Sequence, residues 1–364
     1  MIILSTMQVE VQADDAANPR LCSQCSRVSQ PVAMGQIDVR IVNNMTQDAL
    51  TSQAMIRAVA AIRAGGLVGM PTETVYGLAA DALNPAAVLK IFSAKGRPRF
   101  DPLIVHIPDP DWAWQIAEPT PRAMKLAAAC WPGPLTLVLK RQAMVPDVVT
   151  SGLDTVGIRC PDHPLARELL RICGTPLAAP SANVFGRISP TTAEHVREQL
   201  GDLVDEVLDG GPCRVGIEST VLLTDPAPLI LRPGGLTRER IEEILGEPVA
   251  IAGRSERAGH LPPQAPGMLA SHYAPRKPLT LRAPLAPWPS DPSVGILGFR
   301  EGPAVAHQEV LSVRGDLSEA ATRLFACLRR LDASPATSLV AELVPEEGLG
   351  EGINDRLRRA AGRG

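Results

Sequence analysis

The sequence predicts an α/β protein built on a mixed sheet, followed by a second, smaller α/β domain. Three observations carry that prediction. Segments with helical apolar spacing alternate with short apolar runs, several of those runs follow one another directly, and a proline- and glycine-rich stretch at 251–292 divides the chain. Alternation argues for helices packed on a sheet, and close succession adds antiparallel neighbours to parallel ones. At 364 residues the chain has room for two cores.

Taken in order, residues 1–37 show no sustained period and read as a mobile N-terminal extension. Beyond Asp48, Ile56, Val59, Ala60 and Arg63 fall on helical spacing, and Gly65-Gly66 supply a left-handed stop. A strand over Leu67–Met70 ends at Pro71, which lacks a backbone donor. Asn84-Pro85 caps and opens a helix that runs to Gly96, and Thr120-Pro121 opens another in the same way. Strands are predicted at 103–107, 135–139, 156–159, 177–179, 204–208, 220–223 and 229–232, with helices near 163–173, 192–200 and 237–245. Residues 38–250 thus form the first domain and 251–292 a linker. In the second domain, 293–364, a strand at 294–299, a helix capped by Ser318, a strand at 338–343 and a helix near 354–360 follow.

Composition excludes several classes. With 45% hydrophobic and 21% charged residues the chain is of ordinary globular type, and its net charge of −3 argues against a protein that coats nucleic-acid backbones. No apolar run reaches the roughly 18 residues that a membrane span needs, and the opening MIILSTM lacks the basic flank of a signal peptide. The seven cysteines are scattered, an odd number that fits a reducing cytoplasm. Cys22 and Cys25 form a CxxC without a second pair or a nearby histidine, so no metal site is expected there.

The chemistry-bearing residues fall in short polar segments at predicted strand ends. No GxxxxGK[ST], HExxH or GxSxG is present. The late glycine run from Gly348 to Gly352 has no βαβ unit after it and reads as a loop or the start of a helix. Pro71-Thr72-Glu73-Thr74-Val75-Tyr76 places two hydroxyls, a carboxylate and a phenol just after a strand. Lys95-Gly96-Arg97-Pro98 joins two fixed cations near Asp101 and His106, a pattern suited to a polyphosphate and also to a solvated helix C-terminus. Thr155 and Arg159 share a strand, Ser181 and Asn183 follow another, and Glu218-Ser219-Thr220 and Arg232-Pro233-Gly234 add further polar groups. Ser189 and Thr191, taken singly, read as helix caps. Together the set offers cations for phosphate, hydroxyls for a small polar ligand and no side-chain nucleophile, which fits attack of one substrate on another under electrostatic guidance.

These segments resemble the YrdC-like threonylcarbamoyl-AMP synthase family in its longer two-domain form. PTETVYGL, KGRP with DPLIVH after it, WPGPLT, TVGIR, APSAN, SPT, EST and LRPG stand in that family's order, and the likeness spans about residues 48–364. Pro266-Gly267-Met268 followed by His272-Tyr273-Ala274-Pro275, and the closing stretch from Gly348 to Ala360, resemble the long form. The resemblance implies a twisted open mixed sheet with a concave cavity, then a smaller Rossmann-like domain. It implies a nucleotidyltransferase in which N-carboxy-threonine, formed from L-threonine and bicarbonate, attacks the α-phosphate of ATP. Pyrophosphate leaves, and the adenylate serves threonylcarbamoyladenosine formation in tRNA.

By the same resemblance Thr72, Thr74, His106, Thr155, Arg159 and Ser219 hold threonine, Arg159 facing its carboxylate. Arg97, Asp101, Ser181, Ser189, Arg232 and Tyr273 contact the nucleotide, with Lys95 beside the triphosphate and Lys95 and Arg97 stabilising the transition state with Mg²⁺. Tyr273 lies in the linker, so the linker is expected to fold across the cavity and exclude water. The implied setting is the cytoplasm, with downstream tRNA threonylcarbamoyl-transfer proteins as partners and little direct nucleic-acid binding. Two other readings compete. A non-catalytic RNA-binding or ribosome-associated module would ignore threonine and lose affinity steeply with salt, but an aromatic content of 3% leaves few stacking surfaces. A carbamoyl transferase that adenylates carbamoyl phosphate would need zinc-finger cysteines that this chain lacks.

Overall fold

Two sheets organise the molecule, each covered by helices. The structure is a computed structural model that describes residues 49–253 and 272–362. The 1–37 stretch, Cys22, Cys25 and Ala265-Pro266-Gly267-Met268 lie outside the described residues.

The strands are β1 (Val68–Met70), β2 (Gly77–Asp81), β3 (Ile104–His106), β4 (Leu135–Lys140), β5 (Thr155–Arg159), β6 (Leu177–Ala178), β7 (Glu206–Val207), β8 (Thr220–Leu223), β9 (Leu229–Arg232) and β10 (Ala250–Ile251). They form one sheet in the order β10-β9-β8-β4-β5-β3-β6-β2-β1-β7. Pairings of both directions occur across it, with β3 and β5 parallel and β4 and β5 antiparallel. The mixed sheet expected from closely spaced apolar runs is therefore present. The main helices of this part are α1 (Ala49–Arg63), α2 (Pro85–Lys95), α3 (Pro121–Cys130), α4 (Pro164–Cys173), α5 (Ala193–Leu200) and α6 (Arg238–Leu245).

Local chemistry explains the helix ends. Asn84 accepts hydrogen bonds from the amides of Ala86 and Ala87, Pro85 opens α2, and Gly96 closes it at φ 60°. Thr120 caps α3 through the amide of Ala123, with Pro121 in the first turn. Helix α1 forms as its spacing predicts, but its buried face is Met55, Ala58, Val59 and Ile62, whereas Ile56 is 53% exposed. That face packs on Ala166, Leu169 and Leu170 of α4, so the stripe is rotated by one residue from the predicted one. On the other side of the sheet, Val88, Ile91 and Phe92 of α2 join Leu78, Val105, Leu137 and Ile158 in the larger core.

The second sheet is parallel throughout, in the order β11-β14-β12-β13, from β11 (Leu279–Arg282), β12 (Val294–Gly298), β13 (Gln308–Val310) and β14 (Ser338–Glu342). Strand β11 arises inside the stretch read as linker, between Pro278 and Pro284, where four residues without proline suffice to pair with β14. Helices α7 (Leu317–Ala333) and α8 (Leu349–Ala361) cover this sheet. The cap of α7 is Asp316, not Ser318, because its carboxylate accepts from the amides of both Ser318 and Glu319. Helix α8 starts earlier than predicted and takes in Gly350 and Gly352. A side chain at Gly352 would stand 2.9 Å from the Ile217 side chain, too close without a shift, so the glycine lets α8 rest against Ile217 and the Pro233-Gly234 turn of the first sheet's layer. The second core also crosses that seam. Val75, Ile188 and Ile217 pack with Leu324, Phe325 and Ile353.

Candidate active site

Register brings distant residues together. Parallel pairing of β3 with β5 sets His106 opposite Arg159, and the β8–β9 pairing, which carries a bulge between Val221 and Leu222, sets Arg232 opposite Val221 beside Ser219. The turn after β1 carries Thr72 and Thr74, whose hydroxyls lie 2.9 Å apart. These groups meet in one cleft enclosing about 510 Å³ of empty space, its open mouth included. Thr72, Arg97, His106, Arg159, Ser181, Ser219, Arg232 and Tyr273 line it, together with Glu218 and His272.

The cations are held rigidly. Arg97 sits in the wall, its Nη2 2.8 Å from Asp101 and donating to the Pro102 carbonyl, its Nε donating to the Asp101 carbonyl. Lys95 donates to the carbonyls of Ser181 and Asn183 and is 1% exposed. Burial, and then the neighbouring Arg97, push the Lys95 ammonium well below its usual proton affinity, while burial raises the Asp101 carboxyl against the pull of Arg97. An anion in the cleft would offset part of that penalty on Lys95. Arg232 donates through Nε and Nη2 to the Ser219 carbonyl.

At the other end Arg159 stands 2.7 Å from Glu73, and Glu73 in turn accepts from the amide of Asp162. Burial and the adjacent Arg159 push His106 down to about 3, so its imidazole is neutral near pH 7. Its Nδ1 and the hydroxyl of Tyr273 are buried without hydrogen-bond partners among the described residues. Each such atom costs about 1–3 kcal/mol until a ligand pairs with it.

Not every predicted residue reaches the lining. Lys95, Asp101 and Ser189 stand one contact behind it, touching Ser181, Arg97 and Glu218 respectively. Thr74 acts on Thr72 from behind. Thr155 starts β5 opposite Lys140, at the far end of the strand from Arg159, so sharing a strand did not bring the two to one place. The Tyr76 phenol is spent elsewhere, donating to the Gly211 carbonyl and accepting from the Gly210 amide. Ser189 is not a plain cap; it donates to Glu218, and Thr192 caps α5. The sequence marked Glu73 and Glu218 as polar groups at strand ends without assigning either a ligand, and it gave no role to Thr136 or His272. Thr136, whose hydroxyl lies 2.8 Å from that of Ser219, had its signal in the WPGPLT run.

Tyr273 is the linker's contribution. Its φ of 63° is unusual for a ring-bearing residue, and the turn is pinned on both sides by His272 N–H to Arg359 O at 3.3 Å and Ala274 N–H to Gly186 O at 2.9 Å. The His272 ring meets Tyr273 edge-on at 4.2 Å.

Residues 60–234 match the Sua5/YciO/YrdC family model, described as telomere recombination, and residues 236–362 match the model for the threonylcarbamoyl-AMP synthase C-terminal domain. The threonylcarbamoyl-AMP synthase of Pyrococcus abyssi is 42% identical over 319 residues, 83% of this chain and 92% of that protein. The chain belongs to the threonylcarbamoyl-AMP synthase family. The Bacillus subtilis member is 41% identical, covering 88% of this chain and 96% of its own length. The crystal structure of P. abyssi Sua5 complexed with L-threonine superposes with a TM-score of 0.78 at 38% identity, over 86% of this chain and 95% of that one. Among the described residues no helix is long and apolar enough to cross a membrane.

Proposed function

We propose that this chain makes threonylcarbamoyl-adenylate from L-threonine, bicarbonate and ATP. One observation carries the reading: the Arg97 and Arg232 guanidiniums suited to phosphate and the Arg159–His106–Thr72 group suited to an amino acid line a single cleft. The threonine amine takes up the carbon of bicarbonate with loss of water. An oxygen of the resulting carbamate attacks the α-phosphorus, the bond to the bridging oxygen breaks, and pyrophosphate leaves with the electron pair. Arg159 holds the amino acid carboxylate, neutral His106 and the hydroxyls of Thr72 and Ser219 fix its polar groups, and Arg97, with Lys95 one contact behind the lining, offsets the charge that develops on phosphate. Their positions are set before substrate arrives, so little reorganisation remains for the reaction itself. Mg²⁺ enters as part of the nucleotide substrate. Tyr273 closes the cleft over an adenylate that water would hydrolyse. The setting is the cytoplasm, where a tRNA threonylcarbamoyl-transfer system consumes the product.

The test is pyrophosphate release by the purified chain with ATP, Mg²⁺ and bicarbonate. Release should require threonine, and turnover indifferent to the amino acid would end this reading. Lys95→Ala or Arg97→Ala should slow release by roughly 100-fold or more while the protein stays folded.

A further inference from the structure

Arg356 is fully buried and lies on α8, among the helices that cover the second sheet, yet besides Gly352 and Asp355 of its own helix it reaches groups at or next to the cleft. Its Nε donates to Glu218 Oε2 at 2.9 Å, its Nη1 donates to the Pro233 carbonyl next to Arg232, and its guanidinium carbon lies 5.5 Å from the centre of the Tyr273 ring. The second oxygen of Glu218 accepts from the Ser189 hydroxyl. One guanidinium therefore touches Glu218, Pro233 and Tyr273 at once, and through them bears on Ser189 and Arg232. We infer that Arg356 is a positioning residue for ATP, supplied to the first sheet's cleft by the second, and that it fixes Glu218, with Ser189 behind it, as a hydrogen-bond acceptor for the nucleoside. The inference rests on the function proposed above.

The polarity of the chain of bonds carries the argument. Arg356 has only donors, so Glu218 accepts from it through Oε2, and the other oxygen, Oε1, accepts from the Ser189 hydroxyl. Ionised phosphates carry no donor; the donors of ATP are its ribose hydroxyls and its adenine amino group. Glu218 at the lining suits those donors, as the Arg97 and Arg232 guanidiniums at the same lining suit the phosphates. Stability alone does not account for the arrangement, since a buried ion pair is commonly replaceable by apolar groups without loss, whereas holding Glu218 and the Pro233 carbonyl at once needs a forked donor.

The experiment measures steady-state pyrophosphate release by the full chain as wild type, Arg356→Met, Glu218→Gln, the double variant and Arg356→Lys. Arg356→Met should raise the KM for ATP by about tenfold or more with the KM for threonine within about twofold, and the double variant should be no worse than the worse single one. A parallel rise for both substrates, additive losses in the double variant, or unchanged constants with only a lower melting temperature each overturn the inference. If circular dichroism shows that Arg356→Met is unfolded, Arg356→Lys decides: it keeps the charge but not the fork, and must show a smaller rise for ATP alone. Wild-type constants in that variant refute the positioning role. A wild-type chain that ignores threonine refutes the proposed reaction instead.

Discussion

Arg159 shows what a single residue does here and how much of it was legible. Its identity and its place after an apolar run marked it from the sequence, but Glu73, which fixes it at 2.7 Å, is brought to it only by pairing of remote strands. Likewise Glu218 and Arg356 lie 138 positions apart, and no spacing rule reaches that far. His106 gives the residue-scale prediction. Its folded-state value of about 3 lies below the usual 6.5, so the neutral form stabilises the fold above pH 6.5. As acidity rises from there toward pH 3, the unfolded chain binds a proton that the folded one refuses, and stability falls by up to about 1.4 kcal/mol per pH unit. Melting midpoints measured between pH 7 and pH 4 should drop less steeply in His106→Gln than in wild type. Equal slopes would show that His106 is not the group responsible.

Helices were the most readable elements because their ends carry chemistry. Asn84-Pro85 and Thr120-Pro121 opened helices where the sequence placed them. Strands β2 and β13 were missed for opposite reasons. Gly77–Asp81 continues directly from a polar motif that reads as a loop, and Gln308–Val310 pairs through its backbone with side chains too polar to signal burial. Glycines allow a test at this scale. Gly216 and Gly246 both hold positive φ, 80° and 77°, but a side chain at Gly216 would meet Thr322 Cα of α7 at 2.3 Å while one at Gly246 meets nothing within 4 Å. Gly246→Ala should cost about 1 kcal/mol in urea denaturation, from backbone strain alone, and Gly216→Ala should cost roughly 3 kcal/mol or more. Equal costs would mean that α7 does not press on this loop.

Across the whole molecule, the two-sheet plan was legible from periodicity and the proline-rich stretch, but the way the sheets share material was not. The second core is completed by Val75, Ile188 and Ile217 from the first sheet's loops, and α8 reaches back to Glu218. Unfolding should therefore be a single cooperative event. Trp288, stacked on Arg282 at 3.9 Å, reports the second sheet, and Trp131 the first. Tryptophan-to-phenylalanine variants that isolate each signal should give the same urea midpoint, and separated midpoints would show independent halves.

Sharing of that core also leaves a mark on heredity. Ile188 and Ile217 are 4% and 0% exposed because the second sheet's helices cover them. A descendant that shed its C-terminal third would turn both into bare greasy spots, and selection would swap them for polar residues. Those two positions therefore serve as a fingerprint, telling from a fragment of sequence whether a long or a truncated ancestor stands behind it.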